Sequence, residues 1–394
     1  MRPAATVREV FVAFLVLGLT SFGGPVAHLG YFRHEFVVRR QWLSEQAYAD
    51  LVALCQFLPG PASSQVGFAL GWLRAGPAGA AAAWLAFTLP SAFLLILFAL
   101  GVAWFEGPFG EGLVQGLKLT AVAIVAHAVW GMARSFCPDV PRAAIGLVAV
   151  VLVIVVGGSW GQLAAIGFGA AAGWVVLRGL PRPSADAVLS LPISPWVGWL
   201  AAVLLMGLLL GLPLAAWAIS APAIQVAEAF YRAGAWVFGG GHVVLPLLEA
   251  AVVQPGWLDA DAFIMGYGAA QAVPGPLFTF AAYLGMTMVG GGIGTAVLAL
   301  SMIFLPGMLL LVAVLPYWQR LRHSRLAPPM LLGVNAAVVG ILGAAWYDPV
   351  WTSAVLRPAD LVLVLGGFLL LSVWQVPAWR VVLILALGGV FLAL

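Results

Sequence analysis

Apolar residues run through this chain in long blocks divided by glycine, proline or small knots of charge. Blocks fall at 6–40 and 44–74, each interrupted near its middle, then at 77–104, 110–134, 142–157 and 159–178. A polar, proline-rich link from Arg178 to Pro195 leads to one further block at 196–218. The series then returns, with interrupted blocks at 222–253 and 259–289 followed by 292–316, 328–347, 358–374 and 377–394. A helix needs about 20 apolar residues to cross roughly 30 Å of hydrocarbon. Most of these blocks therefore predict membrane helices.

Composition agrees. Of 394 residues, 63% are hydrophobic and only 8% charged, with a mean hydropathy of +1.08; a soluble domain carries about a quarter charged residues. The net charge of +3 reads as cytoplasmic loops and gives no support to nucleic-acid binding. The first apolar run, Val10 to Leu19, lacks a small-x-small cleavage site, so no cleaved leader is expected. Cys55 precedes a helix break and Cys137 sits in a polar loop, which gives a disulfide little support.

The interruptions are one pattern written twice. The first copy is Phe22-Gly23-Gly24-Pro25, then His28, Glu35, Trp42-Leu43 and Gln56-Phe57-Leu58-Pro59-Gly60-Pro61. The second is Phe238-Gly239-Gly240-Gly241, then His242, Glu249, Trp257-Leu258 and Gln271-Ala272-Val273-Pro274-Gly275-Pro276. Ser64 and Thr279 fall in register. Matched breaks in two apolar halves point to a transporter built from repeats, with its site at the breaks. The halves divide as 1–180 and 221–394, with 181–220 holding a link and one unpaired helix.

Charge gives the orientation, because cytoplasmic loops are enriched in Lys and Arg. Arg33, Arg39 and Arg40 follow the first interrupted block, and Glu106 and Glu111 flank the turn after the long span. In the second half the signs swap, with Asp259 and Asp261 in the first place and Arg320, Arg322 and Arg325 in the other. One odd helix between the halves turns the second upside down. The expected fold is thus an all-α polytopic membrane protein of two inverted-topology repeats with interrupted or re-entrant helices. The arms of each interrupted block are short, about 20–25 Å at 1.5 Å per residue. They read as hairpins with tips deep in the membrane; spanning helices kinked at Pro-Gly are the alternative.

A helix that starts after a break aims free N–H groups and partial positive charge at whatever sits there. Ser63, Ser64 and Thr279 add hydroxyls near the starts after Pro61 and Pro276, and the Gly-Gly breaks permit close backbone approach. Tight packing is the plainer role for any single glycine; four matched breaks together favour a binding site. Lys118, the only lysine, lies within a span opposite Gly333 of the repeat. It is either an anion ligand or a snorkelling cation. His28 with Glu35 and His242 with Glu249 are candidates for proton coupling, although Glu35 also stands one turn from Arg39, a pairing distance. Glu228 and Arg232 share that spacing. His127, deeper in the Lys118 helix, reads more readily as a packed core residue than as a proton carrier. No metal-ligand spacing, phosphate loop or nucleophile triad is present, and no cofactor is expected.

These motifs, with Gly333-Val334-Asn335-Ala336-Ala337-Val338-Val339-Gly340, make the chain resemble the chromate ion transporter family in its long, two-domain form. The resemblance implies chromate efflux across the bacterial inner membrane, driven by the proton motive force. Its partners would be chromate, protons, the lipid bilayer and, in assembly, a second copy of the chain. It implies a binding set of Gly23, Gly24, Pro25, Gln56, Pro59, Gly60 and Pro61 with Gly239, Gly240, Gln271, Pro274, Gly275 and Pro276. The chain departs from its own symmetry where Gly241 replaces Pro25 and His242 stands nearer its break than His28 does. Sulfate, of the same shape and charge, is the alternative substrate, and an intramembrane enzyme using His28, Glu35 or His242 is the alternative of another class.

Overall fold

A computed structural model describes residues 6–102, 107–178, 193–238, 241–318, 324 and 326–394. Glu106, Gly239, Gly240, Arg320, Arg322, Arg325 and most of the 181–194 link lie outside the described residues. The described chain is all-α. In the first half it forms α1 (Val7–Thr20), α2 (Gly24–Phe32), α3 (Glu45–Phe57), α4 (Ala62–Val102), α5 (Gly107–Phe136), α6 (Val140–Val156) and α7 (Gly158–Val176). After α8 (Pro195–Ala218) come α9 (Pro222–Ala235), α10 (Val244–Val252), α11 (Ala260–Ala270), α12 (Phe280–Thr287), α13 (Ile293–Val314), α14 (Ala327–Ala345), α15 (Pro358–Ser372) and α16 (Ala378–Ala393).

Polar residues at the block edges start these helices. Ser44 accepts from the Ala47 N–H at 3.2 Å and Asp259 from the Ala262 N–H at 2.8 Å, capping α3 and α11 directly after the repeated Trp-Leu pairs. Capping satisfies backbone donors that have no partner inside the helix. Asp139 caps α6, and side-chain hydrogen bonds from Arg142 hold its carboxyl below the usual carboxylate range. Five helical stretches are long and apolar enough to cross a bilayer. One of them, α4, reverses at Ala75 and Gly76, where the backbone leaves helical geometry. Gly71 and Gly79 then face each other so closely that a Cβ on Gly71 would lie 2.4 Å from the Gly79 carbonyl oxygen. The arm 77–102 supplies the span.

The interrupted blocks double back. Glu9 at the start of α1 lies 3.8 Å from Arg40, beyond the π-helical turn Arg33–Arg39 that extends α2. It also lies 3.2 Å from Arg74, at the end of the short arm of α4. Three segment ends thus meet at one place, around Trp42, over which Arg40 and Arg74 stack at 5.8 and 5.3 Å. In the second half the Val289 N–H, beyond α12, donates to the Trp257 carbonyl at 2.9 Å.

The tips meet reciprocally. Gly60 donates its N–H to the Val237 carbonyl at 2.7 Å, and Gly275 donates to the Ser21 carbonyl at 3.0 Å. Each acceptor stands immediately before a Phe-Gly-Gly break. Both glycines hold positive φ, +121° and +99°, where a side chain is strained. The central helices exchange partners as well. α5 packs on α15 and α16 of the second half, and α14 packs on α6 and α7 of the first. Small residues make these approaches close: Gly112 and Gly116 face Gly389 and Ala386, and Gly333 faces Gly169 and Gly173. α8 lies outside this core and turns Trp196, Trp199 and Trp217 outward.

Candidate functional site

The first Gly-Gly break opens into a cavity of about 380 Å³. Gly23 and Gly24 form one wall, His242 and Gln271 come from the second half, and His127 comes from α5. Ser372 and Gln375 arrive from the turn between α15 and α16. Aliphatic residues complete the lining, and no Asp, Glu, Lys or Arg is among the described lining residues. Gly23, at φ +102°, swings the chain so that α2 starts at Gly24 with Pro25 in its first turn. The unpaired N–H groups of that turn give the wall a partial positive charge.

Both cavity histidines are held through Nδ1. His242, in the 3-10 turn Gly241–Val243, has Nδ1 2.7 Å from the Tyr267 hydroxyl of α11. His127 has Nδ1 3.0 Å from the Ser372 hydroxyl. In each ring Nε2 is the nitrogen left for a ligand. Beside the cavity, Phe22 packs against Trp379 with ring centroids 5.7 Å apart.

Of the residues singled out from sequence, the structure brings Gly23, Gly24, Gln271 and His242 to one cavity. Pro25 packs behind them, near the position a Cβ on Gly241 would take. The Pro-Gly-Pro breaks lie outside the described lining of this cavity. Gly60 and Pro61 pack on Gly307 of α13, and the Gln65 amide donates to the Pro59 and Gly307 carbonyls, both at 2.9 Å. Pro274, Gly275 and Pro276 close the opposite tip, where Gly275 packs on Phe87 and Ser91 of α4. The Thr279 hydroxyl donates back to the Pro276 carbonyl at 2.7 Å and caps its own turn. Ser63 meets the His28 Nδ1 at 3.4 Å, Ser64 is buried with no hydrogen bond from its hydroxyl among the described residues, and Gln56 is exposed on α3.

The remaining residues sit apart. Lys118 donates to Asp261 at 2.6 Å, and its side chain is 7% exposed against 63% for its partner; the ammonium reaches toward the open end of α11 and does not line the cavity. His28 is buried behind the first tip, with Nε2 3.1 Å from the Ser21 carbonyl and its ring edge-on to Phe87. Glu35 pairs with Arg39 and Arg40, and Glu249 accepts from Gln254 at 3.2 Å, so neither continues a chain from its histidine. His127, expected to be packed, faces the cavity. Ser372 and Gln375 had no motif to mark them, beyond being polar residues in an apolar block beside a break.

The sequence model of the family described as Chromate transporter matches residues 8–174 and 224–392. The probable chromate transport protein of Synechococcus elongatus is 30% identical over 99% of this chain and 96% of its own length. The chromate transport protein of Pseudomonas aeruginosa is 27% identical over 98% of this chain and 92% of its own. That of Cupriavidus metallidurans is 29% identical over 87% and 82%. No solved structure matches. With a family match over most of both halves and relatives aligned end to end, the chain belongs to the chromate transporter family.

Proposed function

We propose that this protein is a secondary active transporter that exports chromate from the cytoplasm across the bacterial inner membrane, coupled to the proton motive force. The anion would bind in the cavity where the first Gly-Gly break meets His242 and Gln271. One observation carries this reading: residues from both halves, a helix start and two imidazoles converge on a cavity whose described lining has no carboxylate. A buried anion needs such donors, because an unpaired charge in low dielectric is costly.

The reading takes residues 1–180 and 221–394 as inverted repeats, joined through 181–220. The exchanged packing of α5 and α14 and the reciprocal bonds at the tips support that symmetry. Hairpins entering from opposite faces would put the cavity near mid-depth, as in other transporters with broken helices. Chromate, the substrate in the relatives' names, is taken over sulfate on that ground, since imidazole, amide and helix-end donors read charge and shape and not the central atom.

Radiolabelled chromate uptake into everted vesicles tests this. Uptake should be lost when the proton gradient and potential are collapsed, and sulfate in excess should displace it poorly. No gradient-dependent uptake would remove the export reading, and equal displacement by sulfate would remove chromate selectivity.

A further inference from the structure

The cavity contains no permanent positive charge among its described lining residues. Several charged groups on the helices around it are engaged elsewhere. Lys118 of α5 pairs with Asp261 of α11, and Arg134 of α5 lies over Trp130. Arg357 pairs with Asp360 of α15, Arg380 of α16 lies over Trp379, and Glu249 of α10 holds Gln254. Helix-end dipoles supply only partial charge. A dianion entering this space therefore finds two groups able to become whole cations, His127 and His242.

Their partners suit that change. A hydroxyl can donate to a neutral imidazole nitrogen or accept from an imidazolium N–H. Tyr267 and Ser372 can thus serve Nδ1 in either state, and a proton gained by either ring strands no hydrogen bond. Two imidazolium rings facing one cavity repel each other. His28 differs: it touches Ser21 and Ser63 behind the tip and lines no part of the cavity.

We infer that His127 and His242 share a proton taken up from solvent as the anion binds, so that anion and proton enter the site together and do not displace one another. This rests on the cavity being the anion site. Proton and anion then move in the same direction. One proton against a dianion leaves a single negative charge, on which the membrane potential acts outward, while the pH gradient opposes.

The test uses purified full-length protein in weakly buffered detergent at about pH 8, where a free imidazole is neutral. Chromate is fully deprotonated there, so protons that leave solution go to the protein. Binding is followed with radiolabelled chromate and proton uptake with a pH electrode. Uptake should accompany binding, and the Kd should weaken by up to about tenfold per pH unit for each proton taken up. His127→Gln and His242→Gln should each reduce uptake, the double variant should have a Kd nearly flat with pH, and His28→Gln should leave uptake unchanged. Chromate binding accompanied by proton release, or by no proton change, would overturn the inference. Should either variant misfold, the wild-type uptake and Kd slope decide it alone. Absence of binding to the wild type would instead defeat the cavity reading itself.

Discussion

Replacing Gly275 with alanine isolates the contact by which one half grips the other. Gly275 sits at φ +99°, and a Cβ there would lie 2.8 Å from the Ser91 hydroxyl and 3.1 Å from the Phe87 carbonyl. The backbone conformation alone costs an L residue about 1–2 kcal/mol. Overpacking adds about 1–3 kcal/mol, for a total of about 2–5 kcal/mol. Gly290 is the control, since it also has positive φ, +70°, but nothing lies within 4 Å of its Cβ position. Gly290→Ala should show the backbone cost alone. Removing the nearer clash with Ser91→Ala should recover part of the packing cost, because residues in contact couple in a double-mutant cycle. Thermal stability of the detergent-solubilised protein gives the ranking, and vesicle transport shows whether the grip is needed. Equal losses for Gly275→Ala and Gly290→Ala, or no recovery on adding Ser91→Ala, would refute the packing argument.

Other outcomes follow from the same geometry. Converting Pro59-Gly60-Pro61 or Pro274-Gly275-Pro276 to three alanines should abolish transport while membrane insertion persists; normal transport would sink the broken-helix scheme. Lys118→Met should leave the KM for chromate within about twofold, because its ammonium is engaged by Asp261 and lies outside the cavity lining; a KM raised many-fold would place the lysine among the ligands after all. Gln65→Leu removes one hydrogen bond within the first tip, to Pro59, and one from the tip to Gly307 of α13, each worth about 0.5–1.5 kcal/mol, and should lower thermal stability; unchanged stability would show that the amide is dispensable. Single cysteines at positions 260 and 323 should label from the periplasm and the cytoplasm respectively, and labelling of both from one side would refute inversion.

The breaks were readable in sequence because glycine and proline recurring about 215 residues apart have no other economical explanation in apolar helices. The short arms of the interrupted blocks pointed to hairpins, in keeping with the meeting of Glu9, Arg40 and Arg74 at one place. The exchange of α15 and α16 onto α5 was not readable, since Gly112, Gly116 and Gly389 look like any small residues until their backbones touch. Lys118 was ambiguous for a related reason. A lone cation looks like a ligand unless its partner is known, and Asp261 stands 143 positions away. Ser372 and Gln375 escaped because the corresponding turn of the first half, Gly157-Gly158, carries neither side chain. The repeat that exposed the breaks thus drew attention away from what only one half contributes.

The reciprocal bonds at the tips also bear on how the protein is made. When Gly60 has left the ribosome, its carbonyl partner at Val237 has yet to be synthesised, and at roughly 5–20 residues per second the wait is about 9–35 s. Through that interval the nascent first half holds a donor at Gly60 that has yet to meet its acceptor, at a cost of several kcal/mol in dry lipid, whereas the Ser21 carbonyl keeps His28 as a partner. A newborn first half must therefore keep that hairpin tip hydrated or sheltered by the insertion machinery. A chain truncated before Val237 keeps that donor unmatched and should be cleared faster than the full-length protein.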